Sequence, residues 1–366
     1  MGEQLHLVTG YPGLLGTKLV ERLAALPEQR LVLLVQPHQA RQAREALRDR
    51  PGAEVLEGDV GHIHLGLSGP EWRSLAGHLT QAWHLAAKTR LGADDQALRV
   101  VNVEGTRTVL ELCAQAPRLS RLVHFSTAFV SGTRRGAVLE EELEAGQGFG
   151  NAYEESKYQA ERLVHRARAR VPATVLRPSL VIGDSRTGEI DRFEGPYALA
   201  LALARAPVAM PLPLPGDPLA PLNVVPIDFV LDAALVIGRH PAATGRTVHL
   251  VDPAPLPARQ VYELIAGRLG RRVATVPVPQ RALEALRRLP LVDRFGGKAG
   301  QALQYVDHLA RYDTRHLLEL LEGSGVRCPP ITDYLDRIIE FVQADYARKR
   351  EAAADLANAD DRPPPR

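Results

Sequence analysis

Short, mainly apolar runs alternate with amphipathic stretches along the first half of the chain. Leu5–Thr9 (LHLVT), Leu31–Val35 (LVLLV), Val55–Leu56, Ala82–Leu85 and Leu122–Phe125 are the apolar runs. Around them, Leu14–Leu26 places leucines at 15, 19, 23 and 26, and Gln39–Arg50 is polar and alanine-rich. Asp94–Gln115 and Tyr153–Arg170 carry long helical patterns. Strands covered on both faces read as continuous apolar runs, whereas half-exposed strands alternate. Strands separated by helices of this length indicate βαβ units. The pattern therefore predicts an α/β fold built on a doubly wound parallel sheet.

After about Ile182 the rhythm changes. Seven prolines fall within residues 207–226 and exclude a regular central element there. Asn223–Ile237 (NVVPIDFVLDAALVI) predicts one more strand and helix returning to the first domain, and Leu256–Val342 is mainly helical. The last twenty residues have few large apolar groups and end in RPPPR, a composition that predicts disorder. The expected organisation is a first domain of residues 1–182 plus 223–250, a smaller, mainly helical substrate lobe of 183–222 plus 251–342, and a disordered tail at 343–366.

Thr9-Gly10-Tyr11-Pro12-Gly13-Leu14-Leu15-Gly16 stands between the first strand and the first helix. Glycine permits the tight turn and the close approach of backbone to a pyrophosphate, and the helix N-terminus offers free N–H groups to the anion. This context predicts a Rossmann dinucleotide site, with Gly10, Tyr11, Pro12, Gly13, Leu14 and Leu15 in contact with the cofactor. An acid at the end of the second strand would bind the ribose of NAD. Gln36 stands there instead, so no carboxylate opposes a 2′-phosphate, and Arg41 or Arg44 on the next helix is a candidate cation for one. NADP is favoured over NAD on that ground, although a solvated helix face also accounts for the arginines.

Asn151-Ala152-Tyr153-Glu154-Glu155-Ser156-Lys157 places a phenol and an ammonium at i and i+4, one turn apart on one helix face. A nearby cation favours the phenolate and so suits the tyrosine to acid–base work. The fifth strand ends in Ser126-Thr127, where ligands gather in an open parallel sheet.

Motifs in a fixed order complete the picture: GYPGLLG (10–16), GDV (58–60), WHLAA (83–87), NVEGT (102–106), FSTAFVSG (125–132), YEESK (153–157), LRPSLVIGDSRTGEI (176–190) and YDTRHLLELLEGSGVRCPP (312–330). With them the chain, over about residues 5–342, resembles the extended short-chain dehydrogenase/reductase superfamily (the NAD-dependent epimerase/dehydratase superfamily). Within it, the resemblance is to the thioester-reductase or fatty acyl-CoA reductase branch, also called male-sterility-like. It implies a catalytic trio: Tyr153 as proton donor, Lys157 as its activator and ribose ligand, and Thr127 as a hydroxyl holding the substrate oxygen. It places Asp59 and Val60 at the adenine, Leu85, Ala86 and Ala87 along the cofactor, and Pro178, Ser179, Leu180 and Val181 by the nicotinamide. Asn102 matches a residue near the site, with a helix-buttressing hydrogen bond as the alternative. Ser126 either touches the nicotinamide side or packs. Two departures stand out: Tyr11-Pro12 lacks one N–H and one hydroxyl usual in the family, and Gln36 replaces an arginine common in NADP-dependent relatives.

Composition adds limits. There are 45 basic and 43 acidic residues, a net charge of +2, which disfavours a nucleic-acid binder. No run of 18 or more apolar residues occurs, so no transmembrane segment is expected, and the first ten residues show no secretory pattern. The cytoplasm is the default expectation. Two cysteines cannot make a disulfide framework, no His/Cys cluster predicts a metal, and His84, His124 and His165 read as packing. Residues 196–215 are strongly apolar and could line a channel for an acyl chain, or form an ordinary lid helix. Residues 259–298 carry nine basic and three acidic side chains. That patch suits coenzyme A, phosphopantetheine, an acyl carrier protein or anionic lipid headgroups in peripheral contact, unless it is a solvated helical surface. The preferred expectation is an NAD(P)H-dependent oxidoreductase acting on an acyl thioester with a hydrophobic acyl group. An epimerase, dehydratase or hydroxysteroid-type dehydrogenase on a secondary alcohol, and an NAD(P)-sensing protein without turnover, are the competing readings.

Overall fold

The structure is a computed structural model that describes residues 4–50, 52–89, 94–190, 220–270 and 308–360. Seven parallel strands make the main sheet: β1 (Gln4–Thr9), β2 (Gln29–Val35), β3 (Ala53–Glu57), β4 (Leu79–His84), β5 (Arg121–Phe125), β7 (Ala173–Pro178) and β10 (Thr247–Leu250). Their order is β3-β2-β1-β4-β5-β7-β10, the doubly wound arrangement that the apolar pattern predicts. The order reverses between β1 and β4, which opens a crevice at the carboxyl ends of those strands.

Helices α1 (Leu14–Ala24), α2 (Pro37–Ala46), α3 (Gly69–His78), α5 (Gly105–Ala114) and α6 (Ala152–Ala167) connect the strands. Leu7, Val32, Leu34, Ala82, Leu122 and Val175 of the sheet pack with Trp72 and Leu75 of α3 and Val109, Leu112 and Cys113 of α5. Burial pushes the Cys113 thiol up to about 12, so it is an inert core group. The sequence pattern predicts a single helix over 94–115. A π-helical turn, Arg99–Glu104, interrupts it between α4 (Asp95–Leu98) and α5. Asn102 lies in that turn and is fully buried.

The chain divides into two units: Met1–Ser179, Phe229–Pro253 and Ala310–Arg327 form one, and Leu180–Asp228, Ala254–Leu309 and Cys328–Arg366 the other. Residues 310–327, which the sequence pattern assigns to the lobe, belong to the first unit. There β11 (Ala310–Tyr312) pairs in parallel with β6 (Gly136–Val138), and α9 (Arg315–Leu321) follows. The buried carboxylate of Glu140 explains this attachment. It accepts the backbone N–H of His249 at 2.9 Å and of His316 at 2.6 Å, which clamps the returning segment beside β10. Burial raises Glu140 to about 7, against the two N–H bonds, which favour its charge.

The predicted strand at 223–226 also differs from expectation. β9 (Val224–Pro226) pairs with β8 (Leu180–Ile182) in a separate two-stranded sheet of the second unit and does not rejoin the main one. The helix after it, α7, spans Ile227–Arg239. Asp228 accepts both the backbone N–H and the hydroxyl of Ser185, and Asp184 accepts N–H bonds from Arg186 and Thr187. The GDSRTGE segment is thus a folded turn braced by carboxylates. The core of this unit joins Val261, Tyr262 and Ile265 of α8 (Ala258–Arg268) to Leu335, Ile338 and Val342 of α10 (Leu335–Asp360). α10 runs on through 343–360, where composition predicted disorder. Alanine-rich sequence favours helix without large apolar groups, and Lys349 pairs with Asp345 at i,i+4. Residues 196–215 and 271–298, which carry the apolar stretch and most of the basic patch, lie outside the described residues.

Glu140→Gln replaces one acceptor oxygen by an amide that cannot accept, leaving one of two buried N–H groups without its partner. Stability should fall by about 1–3 kcal/mol, read as a lower denaturant midpoint at unchanged slope. An unchanged midpoint would refute the clamp.

Candidate active site

The glycine turn sits at the topological switch. Gly10 has φ +92°, and a Cβ there would lie 2.8 Å from the nitrogen of Ala86 and the carbonyl carbon of Leu85. Only glycine lets β1 leave the sheet this close to the end of β4. Gly16 meets the same turn from the helix side, its would-be Cβ 2.5 Å from the Gly10 oxygen. α1 starts at Gly13 with no side-chain cap and no acid in its first turn. Its first N–H groups, from Leu14 and Leu15 onward, therefore suit a pyrophosphate. Pro12 contributes no N–H, and Tyr11 is buried.

A buried hydrogen-bond chain runs from this turn to the helix carrying Tyr153. Thr106 donates its hydroxyl proton to the Asn102 carbonyl at 2.6 Å, so it accepts from His84 Nε2 at 3.1 Å. His84 therefore carries its proton on Nε2 and accepts the Thr9 hydroxyl at Nδ1, 2.8 Å away. Thr9 Oγ1 in turn accepts the Ala86 N–H at 3.1 Å. Burial, with Lys157 adding to it, lowers His84 to about 3 and fixes the imidazole as neutral. From Asn102 the chain continues: its Oδ1 accepts the Lys88 N–H at 2.7 Å, and its Nδ2 donates to Ser156 Oγ at 2.8 Å. Ser156 closes on the Tyr153 carbonyl at 2.8 Å. The Asn102 side chain is thus committed to bracing the loop after β4 against α6.

Tyr153 stands in the first turn of α6 and Lys157 one turn later. Asn151 caps the helix through the Glu154 N–H at 3.0 Å, while the Glu154 carboxylate accepts from Gly150 N and Asn151 Nδ2, both at 2.9 Å. Burial raises Glu154 above the usual carboxylate range. These bonds fix the entry of α6 and hence the place of Tyr153. Lys157 is 2% exposed and donates to the Phe125 carbonyl at 2.7 Å. Burial lowers its ammonium to about 8, with Glu161 acting the other way. Thr127, just beyond β5, holds long side-chain bonds among the described residues, to Pro178 O at 3.4 Å and from Phe129 N at 3.3 Å. Its hydroxyl can exchange them for a substrate oxygen at low cost.

Other predicted residues take other places. Ser126 turns its hydroxyl to Glu161 Oε2 at 2.5 Å and donates its backbone N–H to Leu176 O at 2.7 Å. Gln36 donates to Asp59 Oδ2 at 2.6 Å, and Asp59 Oδ1 accepts the Gly61 N–H at 2.8 Å, so the ends of β2 and β3 are tied together. Val60 is buried beside them. Arg44 is held by Glu57 at 2.7 Å, whereas exposed Arg41 has no ion pair among the described residues. Leu85 donates its N–H to the Thr9 carbonyl, and Ala87 follows on the same segment. Pro178 ends β7 and Ser179 follows it in the first unit, whereas Leu180 and Val181 open β8 in the second.

Sequence reasoning passed over Glu161, Arg177 and Thr106. Glu161 could have been found as a carboxylate one turn beyond Lys157 on the inward face of an amphipathic helix. Among the described residues no group of three or more His, Cys, Asp and Glu could hold a metal ion, and no helix is long and apolar enough to cross a membrane.

Comparison with known proteins adds to this geometry. The family model described as Male sterility protein matches residues 8–234. The chain is 31% identical over 273 residues to the nonribosomal peptide synthetase asaC of Aspergillus flavus, covering 68% of this chain and 26% of that protein. It is 25% identical over 274 residues to the fatty acyl-CoA reductase wat of Drosophila melanogaster, covering 62% and 52%. The chain thus spans about half or less of these curated relatives. Among solved structures, the terminal R domain from the myxalamid PKS-NRPS biosynthetic pathway matches with TM-score 0.80 and 27% identity, over 93% of this chain and 91% of that one. A thiolation-reductase di-domain from an archaeal non-ribosomal peptide synthetase shares the fold, with TM-score 0.71 and 16% identity over 94% and 76%.

Gly10→Ala should weaken NADPH and NADH binding by about tenfold or more, since the added methyl both strains the positive φ and collides with the end of β4. Nicotinamide fluorescence titration measures this, with circular dichroism as the control for folding. Undiminished affinity in a folded variant would contradict the turn's role.

Proposed function

The chain belongs to the male sterility protein family, a branch of the extended short-chain dehydrogenase/reductase superfamily, and on that premise we propose that it reduces an acyl thioester. The family makes it an NAD(P)-binding oxidoreductase. The observation that carries the proposal is the setting of Lys157: an ammonium buried at the end of β5, one turn below Tyr153 and held by the carbonyl two residues before Thr127.

The residues of the glycine turn and of α1 fit a dinucleotide, and when bound the nicotinamide supplies the hydride. Thr127 gives up its long bonds and holds the substrate carbonyl oxygen. Tyr153 donates a proton to that oxygen as negative charge develops on it. Lys157 makes this easier by favouring the phenolate that remains. With hydride supplied to the carbonyl carbon and the Tyr153 proton on its oxygen, the substrate is a hemithioacetal. That hydroxyl proton returns to the Tyr153 phenolate as the carbonyl re-forms, the carbon–sulfur bond breaks, and the departing thiolate takes a proton from solvent, so the products are an aldehyde and a free thiol. A second hydride transfer would give the alcohol. Likeness to the fatty acyl-CoA reductase and to the R domain supports a phosphopantetheine thiol as the leaving group, on coenzyme A or a carrier protein. For the cofactor, NADPH is proposed: Gln36 brings no charge against a 2′-phosphate, and Arg41 is the nearby guanidinium not already paired.

Purified protein mixed with NADPH and a panel of acyl-CoA thioesters should consume cofactor and release thiol, with aldehyde and any alcohol formed from it together equal to the thiol. Tyr153→Phe should lower turnover by about 10²-fold or more. Cofactor oxidation that persists in this variant would overturn the mechanism. Arg41→Ala should raise KM for NADPH more than for NADH, and equal effects would remove Arg41 from cofactor choice. The pH profile has a definite sign. Lys157 is charged below about 8 and neutral above it, so turnover should fall as pH rises through that value.

A further inference from the structure

We propose that Glu161 is a positioning residue of this centre, a buried anion that keeps Lys157 charged and fixes the strand end carrying Thr127. This rests on the reading of Tyr153 and Lys157 as the reducing pair.

Tyr153, Lys157 and Glu161 follow one another at i, i+4 and i+8 on α6 and so share one helix face. Lys157 and Glu161 grip consecutive residues of one strand end: Lys157 binds the Phe125 carbonyl at 2.7 Å, and Glu161 accepts the Ser126 hydroxyl at 2.5 Å. The next residue is Thr127. Moving Glu161 therefore moves the peptide that aims the Thr127 hydroxyl and the carbonyl that seats the ammonium.

The charges around Lys157 make Glu161 decisive. From β4 and β5, His84 and His124 face it, and burial holds both imidazoles neutral. Asn102 of the π turn is uncharged, and Tyr153 on α6 is the group to be served. Glu161 is the anion acting on the ammonium among the described residues. It is 0% exposed, and burial acts to raise its proton affinity. Arg177 outweighs this with two-pronged contacts, Nη2 to Oε1 at 2.6 Å and Nε to Oε1 at 2.9 Å, and His165 lies 3.3 Å away. The carboxyl is held well below the usual range. A charge so protected stays constant across the pH range in which the enzyme works.

The test is the pH profile of turnover in Glu161→Gln. Losing the anion leaves the ammonium with burial alone, so the alkaline limb should move down by about one pH unit or more. Ser126→Ala removes the hydrogen bond and keeps the charge, so its limb should stay at the wild-type pH. If Glu161→Gln does not fold because Arg177 is left unpaired, Glu161→Gln/Arg177→Gln removes both charges together and should show the same downward shift. A folded variant lacking the carboxylate with its limb unmoved overturns the proposal, whatever its kcat. Tyr153→Phe separates the two layers. Lost turnover there with an unmoved Glu161→Gln limb rejects the role of Glu161 alone, and undiminished turnover rejects the pair beneath it.

Discussion

The pairing of Arg177 with Glu161 is the constraint on which the carboxyl end of the sheet depends. Neither side chain has appreciable exposure, and removing one partner of such a pair costs about 3–5 kcal/mol. The guanidinium is satisfied throughout: Nη2 also donates to the Glu142 carbonyl at 2.8 Å, and Nη1 reaches His249 Nε2 at 3.1 Å. His249 Nδ1 meets the Asp313 carbonyl at 2.9 Å and must carry the proton there, so Nε2 is free to accept from Arg177. Burial, then Arg177, lowers His249 to about 3 and keeps it in that neutral form. One ion pair thus joins α6, β7, β10, the loop before α6 and the returning segment after β11.

This arrangement separates two tasks. Leu7, Leu122 and Val175 in the apolar core of the sheet supply cohesion. Its upper end is a row of buried polar groups. Thr9, His84 and His124 are register neighbours across β1, β4 and β5, and Arg177 faces His249 across β7 and β10. Polar groups at this depth stabilise only when their partners are in place, and most here are. His124, with neither ring nitrogen hydrogen-bonded among the described residues, and the Ser179 hydroxyl are exceptions. The acidic run at 140–144 belongs to the same device. Glu140 clamps two backbone N–H groups, Glu142 pairs with Arg134 at 2.6 Å, and Glu144 pairs with Arg162 at 2.8 Å. A run that looks like solvated charge is a set of ties holding the entry to α6.

Local signals were readable from residue order. Apolar runs marked the strands, the glycine turn marked the crevice, and Tyr153 with Lys157 marked one helix face, because each is encoded within a few residues. Long-range pairings were not. The three residues Ala310–Tyr312 have no period to announce a strand, and what recruits them is Glu140, more than 150 residues earlier. β9 read as a strand of the main sheet because an apolar triplet carries no information about its neighbour. Residue order left Ser126 between touching the nicotinamide side and packing, because its partner, Glu161, lies 35 residues away. The helix at 343–360 was hidden by composition: few large apolar groups suggested disorder, whereas alanine and i,i+4 pairs suffice for helix.

Lys157 carries its ammonium in a buried place, and burial lowers its proton affinity. The chain has five lysines, so the side-chain signals of a lysine-labelled sample are few, and that of Lys157 is identified by its loss in Lys157→Arg. Its titration followed by NMR should have a midpoint near 8. A midpoint at the ordinary lysine value of about 10.4 would mean that burial does not lower it.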